Sequence, residues 1–594
     1  DNDGWLDILA YGNGIRLWRN LGKLGFEDVT AATGLDKVGA IDSVAPADFD
    51  EDGDTDLVVS SANGLQYLRN DGGNANRQLK LLLMGNRSNP SALGVRVEVL
   101  AGRWRAIRTL DRLPFEIGVG KHDKIDVLKT RWFDLATTLV DIPVQPQPVV
   151  LAELTLPTGS CPYLYAWDGR QFRFVTDILG SAPLGLPVSE TRFVEADPDE
   201  YLYLGDESQF PARDGRFEVR ITEELREVLY LDHARLTFVD HPSNTLVATT
   251  SKMVPGKPFV PHELWTLQPL RAPMRAIRSD GLDVSAALQA VDCNRVAPVR
   301  LREPQLRGLA EPFSVTLDFG PLPSEKPLVL ALNGWLRFGG GMANIGASLD
   351  PNLPFPFPVL EAELPDGTWQ NVPVVVGVPA GKTKTILVDL DHKLPPQARR
   401  LRLSTAFELY WDSALLCEKL PNLYPTSTQL LPNHTDLHWR GYSHLSASSE
   451  TAPLCPEYDH VDLAPPWRRT PAGWCTRYGP VDDLVKTEDD RLVLLNGGDE
   501  LALSFDASHL PPKPEGCTRD FFLYVAGWDK DADFHVGQGW RVEPLPYHGM
   551  DDQGYGRSAP ALLSDSWIHQ YNTRWVGPMV LSPVEDQRLA LRSR

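Results

Sequence analysis

Carboxylates recur at every second position in Asp48-Phe-Asp50-Glu-Asp52-Gly53-Asp54-Thr-Asp56, directly before the apolar run Leu57-Val58-Val59. At an effective dielectric of 20, two carboxylates about 5 Å apart repel by roughly 3 kcal/mol. A loop that gathers several of them is therefore expected to hold a cation. Oxygen donors at this density favour calcium over zinc or copper. The expected ligands are the side chains of Asp48, Asp50, Asp52 and Asp56, with the carbonyl of Asp54 between them and Gly53 at the turn. An EF-hand requires a bidentate Glu at its twelfth position, where this loop has Val59. The segment Leu57-Val-Val-Ser-Ser61 is short and β-branched, so the loop is predicted to lead into a strand and not an exiting helix.

The same pattern opens the chain. Asp1-Asn-Asp3-Gly4-Trp-Leu-Asp7 aligns with Asp50-Glu-Asp52-Gly53-Asp-Thr-Asp56 at an offset of 49, and Leu17-Trp-Arg-Asn20 aligns with Tyr67-Leu-Arg-Asn70 at an offset of 50. Asp1, Asp3 and Asp7 are thus candidate ligands of a second calcium loop. A repeat near 50 residues built of short strands indicates propeller blades or a solenoid. The D-x-D-x-D-G-x-x-D-L pattern resembles the FG-GAP/VCBS repeat, the calcium-loop blade of integrin-like β-propellers. Two copies cannot close a ring that needs at least four blades. Either further blades lie upstream of a chain that begins inside a motif, or these two pack on the next domain.

Length and composition set the frame for these loops. A chain of 594 residues implies several domains, and 50 prolines and 47 glycines between short apolar runs predict an all-β protein. With 58 basic against 79 acidic residues the net charge is −21, which disfavours nucleic acid and anionic membranes as partners. No apolar run has the length of a membrane-spanning helix. The six cysteines lack CxxC spacing, which argues against a zinc ribbon; Cys455 and Cys475 are the favoured pair if a disulfide forms.

The expected organisation is calcium-loop blades over 1–75 as an incomplete propeller, a β-domain over 76–155, a β-rich domain over 156–309, a jelly-roll-like sandwich over 310–418 and a loop-rich β region over 419–594. In the second segment, Gly85-Asn-Arg-Ser-Asn89, Gly94-Val-Arg-Val97, Gly118-Val-Gly120 and Val127-Leu-Lys-Thr-Arg-Trp132 resemble the ASPIC/UnbV domain, a family that commonly follows VCBS repeats. Here Trp132-Phe133-Asp134 stands where that family has Trp-Pro-Asp-Gly. The stretch Cys161-Pro-Tyr-Leu-Tyr-Ala-Trp-Asp-Gly169 resembles the region that trails such modules in large bacterial secreted proteins; neither resemblance implies a chemistry.

Three further constellations bear on function. Trp335, Trp369 and Trp411 are candidates for a sugar-stacking platform, against the commoner role of a strand Trp in a core. His434-Thr-Asp436-Leu-His438 would place three metal-ligand types on one face of a strand. Asp529-Lys-Asp531-Ala-Asp533 lacks the glycine turn and reads as a solvated loop. The chain holds no GxSxG elbow, HExxH pair, Walker A loop or helix-opening GxGxxG. The expected function is a non-catalytic, calcium-stabilised extracellular or cell-surface protein that binds a carbohydrate or protein ligand. The alternative is an extracellular enzyme, a polysaccharide-active or metal-dependent hydrolase with accessory β modules. That reading would call for a cleft with facing carboxylates.

Overall fold

A computed structural model describes residues 1–85, 88–132, 136–153, 162–302, 306–323, 325–351, 357–421, 428–465, 467, 469–550, 555 and 566–578. About 47% of the chain is strand and 7% helix, without a closed barrel, as expected of an all-β protein. The chain divides into two compact units, Asp1–Leu156 and Pro157–Arg594.

In the first unit, β1 (Ile8–Tyr11), β2 (Ile15–Asn20) and β3 (Phe26–Asp28) form one three-stranded antiparallel sheet, and β4 (Ser43–Ala47), β5 (Asp56–Ser61) and β6 (Gly64–Leu68) form another. Ile15, Ile41 and Val59 make a small shared core. The remainder is a pair of sheets. One has the order β10 (Phe115–Gly120), β7 (Arg77–Met84), β13 (Val149–Ala152). The other runs β12 (Ala136–Pro143), β11 (Lys124–Arg131), β8 (Arg96–Ala101), β9 (Trp104–Thr109). Inward positions alternate along these strands, as in Phe115, Ile117 and Val119. β10 and β13 are not among the strands the sequence predicts. Glycines dilute the β propensity of the first, and the second follows the proline-rich stretch Pro143–Pro148, yet it pairs in parallel with β7.

The repeat is visible as conformation. Gly4 and Gly53 both have φ of +97°, and the nearby Asn2 and Glu51 have φ of +56° and +61°. Left-handed residues at the same places in both copies re-aim the chain into β1 and β5. The side chain at Gly53 would meet open space, so any cost there is purely conformational. The blades do not stand alone. Gly120 N–H donates to the Asn2 carbonyl at 2.8 Å, Trp104 lies against Gly4, and Gly118 lies against Asn2. In this unit the blades pack on the strands that follow them.

The second unit contains two sandwiches. Tyr163–Trp167, Phe172–Asp177, Arg216–Thr222, His434–Trp439 and Asp499–Asp506 form one sheet; Asp199–Asp206, Glu227–Pro242, Thr428–Leu430 and Cys517–Asp531 lie in its partner. The two enclose one large core that includes Leu164, Val219, Leu236, Leu501 and Leu523. Glu227–Pro242 and Cys517–Asp531 pair along their whole lengths. Strands of the expected 156–309 and 419–594 segments thus share sheets, so these stretches are interleaved. Between them in sequence, residues 246–419 supply two five-stranded sheets that share a core of Val315, Leu317, Leu330, Ile386, Leu403 and Leu416. This is the expected sandwich, but it begins upstream of 310, with Leu246–Thr249, Leu264–Arg271 and Arg275–Arg278 as members.

The sandwich gives two of the three tryptophans the commoner, core role. Trp335 and Trp411 are buried, and Trp335 stacks on Tyr410 at 4.5 Å; only Trp369 is half-exposed, under the Arg402 guanidinium. The cysteine pairing is corrected, since Cys455 and Cys475 are both free thiols. Cys161 lies outside the described residues.

Gly53→Ala is expected to destabilise the first unit by about 1 kcal/mol, because alanine strains at this φ. Gly72→Ala, at φ −147° and equally open, should be close to neutral. Chemical denaturation of the two variants checks the difference.

Candidate metal centre

Oxygens of Asp48, Asp50 and Asp56 lie within 4.8 Å of one another, between the end of β4 and the start of β5. Each is placed by a separate set of donors. Asp56 is buried at the first position of β5; its Oδ1 accepts from Asn70 N–H at 2.7 Å, and its Oδ2 from Tyr67 Oη at 2.7 Å and Phe49 N–H at 3.2 Å. Asp48 Oδ2 accepts from Gly53 N–H at 2.9 Å and forms an ion pair with Lys80 Nζ at 2.6 Å. Its other oxygen, Oδ1, is buried with no hydrogen-bond partner. Asp50 is exposed, and its Oδ1 accepts from Asp52 N–H at 3.4 Å.

The side chains of Asp52 and of Asp54, the latter expected to act through its carbonyl, make contacts of their own. Asp52 Oδ1 accepts from Asp54 N–H at 3.2 Å and its Oδ2 from Asn74 Nδ2 at 3.3 Å. The Asp54 side chain is buried beneath the Gly73–Ala75 turn, where Oδ2 accepts from Gly73 N–H at 2.9 Å and Asn74 N–H at 3.3 Å. Burial, reinforced by the Asp52 charge, pushes the Asp54 pKa up to about 6. The structure therefore gathers three of the five carboxylates, with Asp52 and Asp54 bracing the loop from outside.

The first loop repeats this bracing at the same offsets. Asp3 N–H donates to Asp1 Oδ1 at 3.2 Å, Trp5 N–H to Asp3 Oδ1 at 2.9 Å, and Asn20 N–H to Asp7 Oδ1 at 2.8 Å. Asp1 Oδ2 is held by Arg19 Nε at 2.7 Å. In this copy a guanidinium supplies positive charge to the loop. In the second copy Lys80 supplies it to Asp48 alone, leaving Asp48 Oδ1, Asp50 and Asp56 as an oxygen cluster that fits a hard divalent cation.

Lys80 and Glu116 were not found by sequence reasoning. Glu116 Oε1 accepts from Asp48 N–H at 3.0 Å, and burial raises its pKa. Both lie on strands well downstream of the loop. The only signal was a lysine and a glutamate alternating with inward apolar residues, Leu79-Lys80-Leu81 and Phe115-Glu116-Ile117.

The other constellations resolve differently. On the edge strand His434–Trp439, Thr435 and Leu437 are buried, and His438 contacts Asp436 Oδ2 at 3.0 Å and Glu500 Oε1 at 3.5 Å. His434 is exposed and makes neither contact, so the three expected ligands do not converge. Another line, Ser251 Oγ–His262 Nδ1 at 2.8 Å and His262 Nε2–Asp197 Oδ1 at 3.1 Å, has the order of a catalytic triad. However, Ser251 is buried and its Oγ also accepts from Tyr201 N–H and Thr249 Oγ1, each at 3.0 Å. Both lone pairs of the hydroxyl are engaged by these donors, which holds it as a structural group in this structure.

Asp529 and Lys530 correct the expected solvated loop: both are buried in the long Cys517–Asp531 strand, and Asp533 is buried beyond it. Alternation sends Lys530 to one side, where Nζ donates to Tyr555 Oη at 2.7 Å and the Val542 carbonyl at 3.1 Å. Asp529 and Asp531 go to the other, with Glu227 opposite Asp531 in the ladder. These three acids line a recess of about 60 Å³ beside a cleft of about 270 Å³; Leu186, Phe338, Gly339 and Asn344 line both. The rest of the cleft combines apolar residues with Arg192, Glu195, Lys257, Arg307 and Arg337. Glu227 hydrogen-bonds Asp529, and burial, then their mutual negative charge with Asp531 and Glu223, holds both carboxyls well above the usual range.

Carboxyls with folded pKa values raised above about 4 favour the fold most at acid pH, and that contribution is lost as pH climbs towards the raised values. The second unit should therefore lose stability on going from about pH 5 to 9. Asp529→Asn should flatten that decline while keeping the fold. Melting curves across this range test it; an unchanged slope would mean that the pair is already ionised.

Residues 1–59 match the FG-GAP-like repeat family. No curated protein matches the chain. Among the described residues, no helix is long and apolar enough to cross a membrane. The chain carries an FG-GAP-like repeat at its start, a repeat typical of extracellular and adhesion-type proteins.

Proposed function

We propose that this is a calcium-stabilised extracellular or cell-surface protein whose β-domains serve binding, adhesion or assembly with a carbohydrate or protein ligand, and whose 76–155 region is an ASPIC/UnbV-like packing module. One observation carries the metal part: Asp48 Oδ1 is buried and unpartnered in a loop where it meets Asp50 and Asp56. Asp48, Asp50 and Asp56 would hold the ion. Bound there, calcium supplies charge compensation and fixes the corner between β4 and β5. The loop lacks the closing Glu of a sensor, so weak affinity, roughly 0.1 to 1 mM, is the expectation for an extracellular module.

A second reading, a polysaccharide-active hydrolase, is favoured by the Glu227–Asp529 pair beside the cleft. The two share a hydrogen bond and are held above the usual range, so the pair keeps a protonated carboxyl that can serve as a general acid. Polysaccharide cleavage that disappears in Asp529→Asn, with the melting temperature held, would replace the non-catalytic reading.

At about 5 mM calcium the expected affinity corresponds to about 1–2 kcal/mol of stabilisation. Chelation should lower the melting temperature of the first unit by several degrees, and Asp50→Asn should abolish the calcium response. An identical response in that variant would move the ion elsewhere. Lys80→Met should sharpen the dependence: without the ammonium, Asp48 is more destabilising in the apo protein, and the calcium-induced rise in melting temperature should exceed that of the wild type.

A further inference from the structure

A second cluster lies in the other unit, formed by three segments far apart in sequence, and it differs from the calcium loop in carrying an imidazole. Asp232 sits where the Glu227–Pro242 strand bulges: Leu231 pairs with Gly527 and His233 with Ala526, which leaves Asp232 as the extra residue. A bulge re-aims a side chain out of the ladder. Asp232 is fully buried; its Oδ1 accepts from Asp489 N–H at 3.3 Å, and its Oδ2 has no hydrogen-bond partner. That oxygen lies 3.6 Å from His548 Nδ1, and Asp490 Oδ1 lies 2.7 Å from the same nitrogen.

We propose that Asp232, Asp490 and His548 Nδ1 form a binding site for a divalent transition metal, with zinc as the best-fitting ion and manganese as the weaker alternative. Ligand atoms of all three residues lie within 4.8 Å of one another, a separation that a single ion spans. The imidazole selects against calcium and magnesium, which take oxygen donors. His548 and Asp490 are each part-exposed, so the fourth coordination position faces solvent.

The far side of the imidazole supports this assignment. A metal-bound histidine generally donates its other ring N–H to a carboxylate, which fixes the tautomer and orients the ring. His548 Nε2 lies 3.6 Å from Glu488 Oε1. Glu488 Oε2 and Asp199 Oδ1 in turn accept from Tyr524 Oη at 3.3 and 2.8 Å. The ring also meets Trp528 edge to face at 4.8 Å, so its plane is set before any ion arrives. The ion would tie the 544–550 loop to the 486–491 loop and to the central strand of the larger sandwich.

The competing arrangement is a protonated His548 serving as the cation for the surrounding carboxylates, with no metal. Zinc and cobalt titrations of the full chain decide between them. The experiment uses a His460→Gln, His262→Gln, Asp50→Asn background, which removes the His444–Glu457–His460 group, the Asp197–Asp199–His262 group and the calcium loop as competing sites. One zinc equivalent is expected by calorimetry, and cobalt should give the visible absorption of a low-coordinate site with a nitrogen ligand. Adding Asp232→Asn or His548→Gln should weaken binding by about 100-fold or more and remove the cobalt band. Glu488→Gln should weaken it by about tenfold and leave the band in place. Metal-free melting curves control for misfolding. Zinc binding of unchanged affinity in the Asp232→Asn and His548→Gln proteins, or the absence of any zinc equivalent in the parent, overturns the proposal.

Discussion

The structure depends on how an acidic chain disposes of carboxylates that its sheets bury. An unpaired buried charge costs far more than a surface ion pair returns, so each such group must find a cation, a set of N–H donors or a proton. Most find a cation nearby. Lys384 serves Asp177 and Glu200, Arg440 serves Glu224 and Glu500, Arg337 serves Glu408, Arg295 serves Asp412, Arg574 serves Asp499, and Lys80 serves Asp48. The exceptions are what single out sites. Glu227 and Asp529 share a hydrogen bond; Asp48 and Asp232, like Asp54, Glu116, Asp197 and Glu223, keep one buried oxygen without a donor, and both lie in clusters of metal-ligand types. These places lie in three different structural contexts: a loop, a strand pair and a bulge.

The acidic loop was legible because its determinants are local. Ligand spacing, the glycine turn and the strand after it all fall within a dozen residues, and the second copy repeats them. The all-β class was equally plain from short alternating runs such as Phe217–Thr222 and Leu501–Phe505. What remained hidden is set by long-range pairing. Glu227–Pro242 finds its partner nearly 300 residues later, and no local pattern announces that the segment between them is a sandwich inserted into another.

The misread stretches share one physical cause. Asp529-Lys-Asp531 has the charge density of a surface turn, and composition alone assigns it to solvent. Its true signal was the unbroken run Phe521-Phe-Leu-Tyr-Val-Ala-Gly-Trp528 before it, which commits the strand to the core and carries the charges in after it. Trp335 and Trp411 illustrate the converse. An aromatic in a strand can face ligand or core, and only the second sheet decides; here it buries both. His434, Asp436 and His438 alternate onto one face as predicted, but Glu500 from the neighbouring strand takes His438 first.

The two loop copies show how little sequence separates a site from a brace. Gly4 and Gly53 share a φ value, and the same Asx-type bonds run through both loops, so the backbone is not what distinguishes them. The difference is the source of positive charge. Arg19 is part of the repeat itself and reaches Asp1 from the adjacent strand; its counterpart in the second copy, Arg69, turns instead to Asp71 at 2.5 Å. The second loop has Lys80 on Asp48, while Arg69, paired with Asp71, acts on Asp50 only as a longer-range charge. A repeat with one arginine turned inward and the other turned outward thus yields one self-neutralised corner and one corner with a deficit of positive charge. The proposed calcium ion meets that deficit.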